Sequence, residues 1–514
     1  MISRPSSTPP SPSFVIRHSS FVLTFLVALC ALPLATHASP LTLDDALRLA
    51  LQKNEALKVS AFSPQIARAH VLVAAGAFDP TLNFRRTYSE TETPGAVTPL
   101  LNRGLTQTDD YRLSLDGLTP WGLTYSLGGT AQNQRGTFNR FTDTYDTFGG
   151  LSVTQPLLRG VGFGATLAGL RIARADRSIS EWTHKQTVID TVTAVVLVYN
   201  NLALARENLR IAQLSRDLAA QLLDQNEKRN RVGSLSDADV TQARARVANR
   251  EESILFAERA VRDTEHQLRR LLGETRFALD TPPLELAPLP PAAPLTVDLA
   301  PLPPAAPLTV DLAADLRTAL DQRPDFQAAR LGVTRRRASR DLAQNQLMPR
   351  LDFVGSYGYA GLDPVFSTAR AQVRDRDARA YSAGLVVSVP LTFAEGRGRA
   401  RAATLGLRQS EADLTRLEHD IAVEVTTAAG QLQTTHQRVA ATRTAYELAK
   451  LALDSEEKRF RAGTSRTLDV LQLQEQLAAV ESAQVRALAD ERRALANYER
   501  ELGTTLTRRG LTIE

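Results

Sequence analysis

The 514-residue chain contains a single cysteine, Cys30, and it lies inside the apolar run 21–34 near the start. Arg4, Arg17 and His18 precede that run, and Thr36-His37-Ala38 follows it with small residues at the two positions a signal peptidase reads. Residues 1–38 are therefore expected to be a secretory signal that is removed on export. The mature chain then has no thiol, which excludes disulfides, thiol catalysis and cysteine-based metal sites. Leu29 stands where a lipid-anchored protein needs a small residue before its cysteine, so lipidation of Cys30 is not expected.

Large side chains are scarce as well: aromatics make up 6% of the chain, with two Trp and two Met. Thick globular cores draw more heavily on such residues. Ala, Leu, Arg, Gln and Glu fill long tracts instead, a composition suited to long helices packed through thin apolar stripes. After residue 39 no uninterrupted apolar run has the roughly 18 residues a membrane helix requires. Entry into a membrane would therefore have to be as strands of a closed barrel.

An excess of one charge sign is also missing, with 61 basic against 56 acidic residues. The arginines alternate with acids along stretches such as 244–265, the pattern of solvated helix faces, and no nucleic-acid partner is implied. The seven histidines are scattered without metal-ligand spacing, so no metal, cofactor or catalytic residue is expected and the chain does not read as an enzyme. Gly160-Val161-Gly162-Phe163-Gly164 lacks the Lys-Ser or Lys-Thr that a phosphate loop needs, and Gly396-Arg397-Gly398-Arg399 occupies the corresponding bend later on.

What the chain does have is a large internal repeat. Leu47-Arg48-Leu49-Ala50-Leu51 is echoed by Leu316-Arg317-Thr318-Ala319-Leu320 at an offset of 269, and Asp79-Pro80-Thr81-Leu82 by Met348-Pro349-Arg350-Leu351 at the same offset. Gly149-Gly150-Leu151-Ser152-Val153 corresponds to Ala383-Gly384-Leu385-Val386-Val387 at 234, and Lys228-Arg229-Asn230-Arg231-Val232-Gly233 to Lys458-Arg459-Phe460-Arg461-Ala462-Gly463 at 230. The fall from 269 to 234 means that the first copy holds 35 more residues between the second and third blocks.

Each copy reads as a helix, strands, then a long helical hairpin. The first spans 39–273, with a helix over 43–75, strands within 80–157 and a helical hairpin over 165–273. The second spans 312–503, with a helix over 312–346, strands within 350–392 and a hairpin over 398–503. Residues 504–514 form a tail. Period-two alternation at Leu82, Phe84 and Tyr88, and at Leu351, Phe353, Tyr357 and Tyr359, puts one strand face against apolar surroundings. The 35 additional residues fit a hairpin through Thr119-Pro120-Trp121-Gly122, which either joins the strands or decorates a loop. Asp237 and Thr467 are candidate caps for the returning helices. Between the copies, residues 274–311 form a Pro-rich linker with a tandem duplication of a 13-residue segment, read as a stiff spacer.

Too few strands to close a barrel, joined to helices of roughly 100 Å that no globule can bury, call for self-association. At this point the chain resembles the TolC-like outer-membrane efflux proteins. The resemblance rests on the opening Leu41-Thr42-Leu43-Asp44-Asp45-Ala46-Leu47, its echo before Arg323-Pro324-Asp325, the strand exits Gln155-Pro156-Leu157 and Val389-Pro390-Leu391, and the hairpin tips. It implies an α+β membrane protein, a homotrimer with a β-barrel in outer-membrane lipid continued by a long periplasmic α-helical barrel. It also implies a passive exit duct of a tripartite efflux or type I secretion system, docked to a periplasmic adaptor protein and through it to an inner-membrane transporter. Carried over to the tips, it makes Arg231, Gly233, Phe460, Arg461 and Gly463 candidate adaptor contacts, and Asp469 and Asp239 candidate residues of a periplasmic gate. The family's second acidic position is Gln472 here, and the aromatic of the tip is Asn230 in the first copy. A barrel of 12 strands follows if the extra hairpin stays outside the wall and 18 if it joins it. The competing reading is a periplasmic coiled-coil scaffold or adaptor without a channel, which would not need strand alternation.

Overall fold

The computed structural model describes residues 41–94, 103–233, 235–274, 284–287, 311–462 and 464–512. The expected signal with Cys30, most of the Pro-rich linker, and Gly463 lie outside the described residues.

The first copy opens with α1 (Leu43–Lys53) and α2 (Glu55–Ala75), then strands β1 (Thr81–Pro94), β2 (Arg103–Leu118), β3 (Thr124–Gly136) and β4 (Tyr145–Pro156). A short α3 (Gly162–Thr166) leads into the hairpin of α4 (Ala168–Arg231) and α5 (Asp237–Leu271). The second copy repeats this with α6 (Leu312–Gln322), α7 (Pro324–Asn345), β5 (Arg350–Asp363), α8 (Phe366–Asp375) and β6 (Ala378–Ser388). It continues with α9 (Ala394–Arg461) and α10 (Thr467–Glu501), and α11 (Thr505–Arg508) ends the chain.

Several expectations change in detail. Each opening helix is two helices, because Asn54 and Arg323 adopt extended ψ values of 121° and 123°. Asn54 turns its side-chain oxygen onto the amides of Ala56 and Leu57, capping α2. Arg323 is held extended by the ring of Pro324, the first residue of α7. The caps of the returning helices are Ser236 and Arg466, one residue before the expected Asp237 and Thr467. Gly396 and Gly398 lie in the first turns of α9 rather than in a bend, whereas Gly160 and Gly162 do form one, with φ of 87° and 81°. Residues 350–392 contain a helix, α8, that strand alternation did not announce.

One window of α4 is long and apolar enough to cross a membrane, although the sequence showed no uninterrupted run. Half of that window is buried, and its side chains account for the property. Val188, Ile189, Val192, Val195, Val196, Tyr199 and Leu202 form a core with Ala46, Leu47 and Ala50 of α1 and Leu268 of α5. Full burial of each large side chain there contributes about 2 kcal/mol. Linker residues 284–287 help to close this core: Leu286 forms a parallel bridge with Leu41, and Leu284 and Leu286 pack against the cluster. The second copy builds a matching core from Ala319, Phe326, Ile421, Val425, Ala494, Tyr498 and Leu502.

The returning helices end at equivalent glycines. Gly273 and Gly503 have φ of 77° and 71°, the left-handed conformation that ends a helix. A Cβ on Gly273 would come within 2.4 Å of the Lys53 carbonyl oxygen, and one on Gly503 within 2.9 Å of the Gln322 carbonyl carbon. In both copies the end of the returning helix is thus pressed against the break between the first two helices.

All six strands form one antiparallel sheet in sequence order. The extra hairpin is β2 and β3, and it joins the sheet between β1 and β4. The sheet stays open, since β1 and β6 each pair on one side only among the described residues.

Candidate functional site: an open wall with two helical tips

Cross-strand partners share a face of the sheet, so the register sorts the side chains. Leu82 and Phe84 of β1 face Leu115 and Leu113 of β2, Leu115 faces Leu127 of β3, and Leu127 faces Leu151 of β4. Leu151 faces Tyr357 of β5, which faces Tyr381 of β6. This face carries a band of apolar side chains left bare, with Leu82 73%, Phe84 70% and Tyr381 80% exposed, while farther along the strands the same register brings in Arg86, Glu90, Asp109 and Arg379. The opposite face carries Asn83, Ser114, Ser126, Ser152, Ser356 and Ser382, in which Asn83 donates to Asp116 at 2.7 Å and Ser356 meets Ser382 at 2.7 Å. One face is suited to hydrocarbon and the other to water, the alternation of a barrel wall.

The helices make a wall of similar construction. In its long lower part α5 packs on α4, α4 on α10 and α10 on α9; nearer the sheet α2 packs on α4, α4 on α7 and α7 on α9. Ion pairs tie the two copies together: Arg210 to Glu481 at 2.7 Å, Arg246 to Glu475 at 2.8 Å and Arg500 to Asp190 at 2.8 Å. The outer flanks keep apolar side chains exposed, Val59, Phe62, Ile66 and Val73 on α2 and Leu405 and Val423 on α9. Spacings of three, four and seven residues place those of α2 on one helix face.

At the tips the two copies share a local chemistry. Lys228 pairs with Asp224, and Lys458 with Asp454, each at 2.6 Å and four residues apart. Gly233 has φ of 75°, and its amide donates to the Asn230 carbonyl at 2.8 Å. Arg231 and Arg461 are exposed, the latter 3.3 Å from Glu457. The expected docking residue Phe460 departs from this pattern: it is 5% exposed, packed with Leu222, Leu453, Val470 and Leu471, so it cannot be a surface contact of the tip. Its ring carries the Arg229 guanidinium at 4.2 Å, a cation–π contact from the other copy. At the equivalent place Asn230 donates instead to the Leu235 carbonyl and to Asp237, each at 2.9 Å, and holds its own turn.

Asp239 and Asp469 occupy the same position, the third residue of α5 and of α10. The Asp239 carboxylate accepts from the Ser236 hydroxyl at 2.6 Å, and that of Asp469 from the Arg466 amide at 3.3 Å. Both half-buried carboxylates therefore also complete helix starts, where the helix dipole favours negative charge.

Sequence reasoning missed the groups that join hairpin to helix break. Asn54 donates to the Leu271 carbonyl at 2.8 Å. At the same place in the second copy, Arg323 meets Asp325 at 2.7 Å, Glu424 at 2.7 Å and Glu501 at 2.9 Å. Burial works against the charge of Arg323, but its carboxylate partners outweigh this and hold its pKa above the ordinary arginine value. Burial pushes Glu501 above the usual carboxylate range; Asp325 is half-buried too, which works in the same direction, yet the Arg323 guanidinium holds it below that range. Among the described residues, no group of three or more His, Cys, Asp or Glu is placed to hold a metal ion.

Comparison with known proteins places this arrangement. The model of the family described as outer membrane efflux protein matches residues 46–274 and 316–504. The chain is 27% identical over 348 residues to the pyoverdine export outer membrane protein OpmQ of Pseudomonas putida, covering 66% of each chain. It is 29% identical over 280 residues to the fusaric acid resistance protein FusA of Burkholderia cepacia, covering 52% of this chain and 46% of that one. The matches therefore span less than two thirds of these relatives' lengths. Its fold is similar to that of the CmeC outer membrane channel of Campylobacter jejuni, with a TM-score of 0.64 and 15% identity over 90% of this chain and 86% of that one.

Proposed function

The chain belongs to the outer membrane efflux protein family, and on that premise we propose that three copies close its open sheet and its open helical wall into one duct. The protein acts in the outer membrane as a passive conduit for export, its helices extending into the periplasm. The observation that carries the reading is a six-stranded sheet with an exposed apolar band on one face and, among the described residues, two unpaired edges. Six strands fall short of the roughly eight of the smallest membrane barrels. Three chains supply eighteen, and α4, α5, α9 and α10 supply twelve helices for the cylinder below. The exposed apolar flanks on α2 and α9 lie at opposite sides of one chain, the head-to-tail arrangement that closes a ring. The two-faced sheet disfavours a coiled-coil scaffold without a channel, which would have no use for it.

The hairpin tips face the periplasm and dock a periplasmic adaptor through Arg231, Arg461, Gly463 and the turn at Gly233, with Phe460 as an internal anchor. The adaptor in turn joins the duct to an inner-membrane transporter that supplies energy and selects cargo. Asp239 and Asp469 line the entrance as rings of carboxylates that draw cations, while holding their helix starts. No residue is assigned a catalytic role.

Single-channel recording in planar bilayers tests both levels. The wild-type protein is expected to form discrete cation-preferring channels. Absence of channels, together with a freely soluble periplasmic species, would overturn the duct. Asp469→Asn keeps an oxygen for the helix cap but removes the charge, so it separates the gate from the cap. Weaker cation preference supports the ring, and unchanged conductance and preference remove it.

A further inference from the structure

Helix α8, inside the β5–β6 connection, has no part in the duct described above. It lies at the end of the sheet away from the helical wall, and it is seated on the apolar face. The Thr147 hydroxyl is 3.1 Å from the carbonyl oxygens of both Gly361 and Ala369. Phe366 meets Tyr145 at 5.6 Å, and the Arg376 guanidinium stands 5.7 Å from the centre of the Tyr359 ring. Tyr145, Thr147, Gly149, Tyr359 and Gly361 all stand in the same alternate register as Leu151 and Tyr357, and hence on the same face. Small residues make the seat. A Cβ on Gly149 would come within 2.8 Å of Val373, and one on Gly361 within 2.1 Å of the Ala369 carbonyl oxygen.

The helix therefore clings to the outside of the wall, at its outer rim. Ala369 is fully buried against the sheet, while Val365 and Phe366 remain exposed beside it. The solvent side presents Arg370 and Arg374, followed by Arg376 and Arg379, all exposed. Two of the three nearby aspartates are engaged within the loop: Asp363 accepts from the Val365 amide at 2.8 Å, and Asp375 pairs with Arg374 at 2.9 Å. Arg376 has φ of 64°, so an arginine stands in the left-handed cap position where glycine is the ordinary occupant.

We propose that α8 with its flanks forms a headgroup-binding unit, in which Val365 and Phe366 enter the acyl boundary and Arg370, Arg376 and, at the start of β6, Arg379 bind the phosphate groups of an anionic outer-leaflet glycolipid. An amphipathic helix lying in the interface plane with arginines outward has the required form. Guanidinium groups match phosphate oxygens in paired hydrogen bonds. Continuity with the bare apolar wall fixes the occupant as lipid, and the inference thus rests on the outer-membrane reading of the sheet.

The experiment uses the full chain with Trp121 and Trp182 replaced by Phe, carrying either Phe366→Trp or Leu385→Trp, reconstituted with brominated lipids. Quenching at both positions is expected. Quenching at 385 alone overturns the helix assignment and leaves the wall intact, whereas no quenching at 385 overturns the wall reading itself. A second measurement follows thermal unfolding in vesicles containing bisphosphorylated lipid A. A rise of several degrees is expected, lost with dephosphorylated lipid A and in the Arg370→Gln, Arg376→Gln, Arg379→Gln variant. An equal rise in that variant, with the dephosphorylated lipid, or with inorganic phosphate alone would overturn the proposal.

Discussion

The two copies of the repeat solve the same structural problem at equivalent residues with different chemistry. Where the hairpin's end meets the helix break, the first copy uses the neutral amide of Asn54 on the Leu271 carbonyl, and the second uses Arg323 among Asp325, Glu424 and Glu501. At the tip the first uses Asn230 to tie its own turn, and the second uses Phe460 to anchor the tip into the neighbouring hairpin. The difference teaches that duplication preserves geometry more strictly than interactions. Gly273 and Gly503, whose backbones touch the same break, are the same residue in both copies, while the side chains that staple the contact are not.

The largest expected effect separates the two staples. Arg323→Met should cost about 3–5 kcal/mol, because it leaves Asp325 and Glu424 without their cation and Glu501 with Arg500 alone. Asn54→Ala should cost about 1 kcal/mol for the lost cap. Denaturant midpoints of the two variants check this, and equal losses would break the comparison. The pH dependence sharpens it. Glu501 has a raised pKa in the folded state, so protonation favours folding there, and its contribution to stability grows as pH falls toward the carboxylate range. Asp325 is held low, so its contribution is present above the ordinary carboxylate pKa and lost as pH falls. In Arg323→Met the attraction that lowers Asp325 is gone, and the variant's deficit should therefore shrink on acidification from neutrality.

A smaller effect is expected at the tips. Phe460→Ala should destabilise the hairpin by about 3 kcal/mol, the usual cost of truncating a buried ring. Asn230→Ala should cost about 1 kcal/mol, since it loses hydrogen bonds in a turn near solvent. Hydrogen exchange of the α9–α10 tip and of the α4–α5 tip reads the two changes separately. Protection lost equally at both tips would show that Phe460 is no special anchor.

The smallest effect concerns the aspartates. Asp239→Asn and Asp469→Asn should each change stability by about 0.3–1 kcal/mol, the worth of a charge at a helix start. Thermal unfolding checks this.

Much of this was legible in the sequence because it depends on spacing. The repeat offsets located both hairpins, the alternation at Leu82, Phe84 and Tyr357 located the wall, and the glycines at 233, 273 and 503 marked helix ends. Features set by contact between distant segments were not legible. Phe460 reads as an exposed tip aromatic until the other copy's Leu222 is placed over it. Helix α8 is short and arginine-rich, and its seat is made by glycines on two strands. The membership of β2 and β3 in the sheet depends on pairing with β1 and β4, which composition cannot specify.

The central claim is that the free edges β1 and β6 meet between chains. Thr87→Cys on β1 and Ser382→Cys on β6, combined in the full chain and treated with a short bis-maleimide in outer membranes, test it directly. The account predicts a ladder of linked dimers and trimers that stops at three. Linkage confined to single chains, or no linkage, would contradict it.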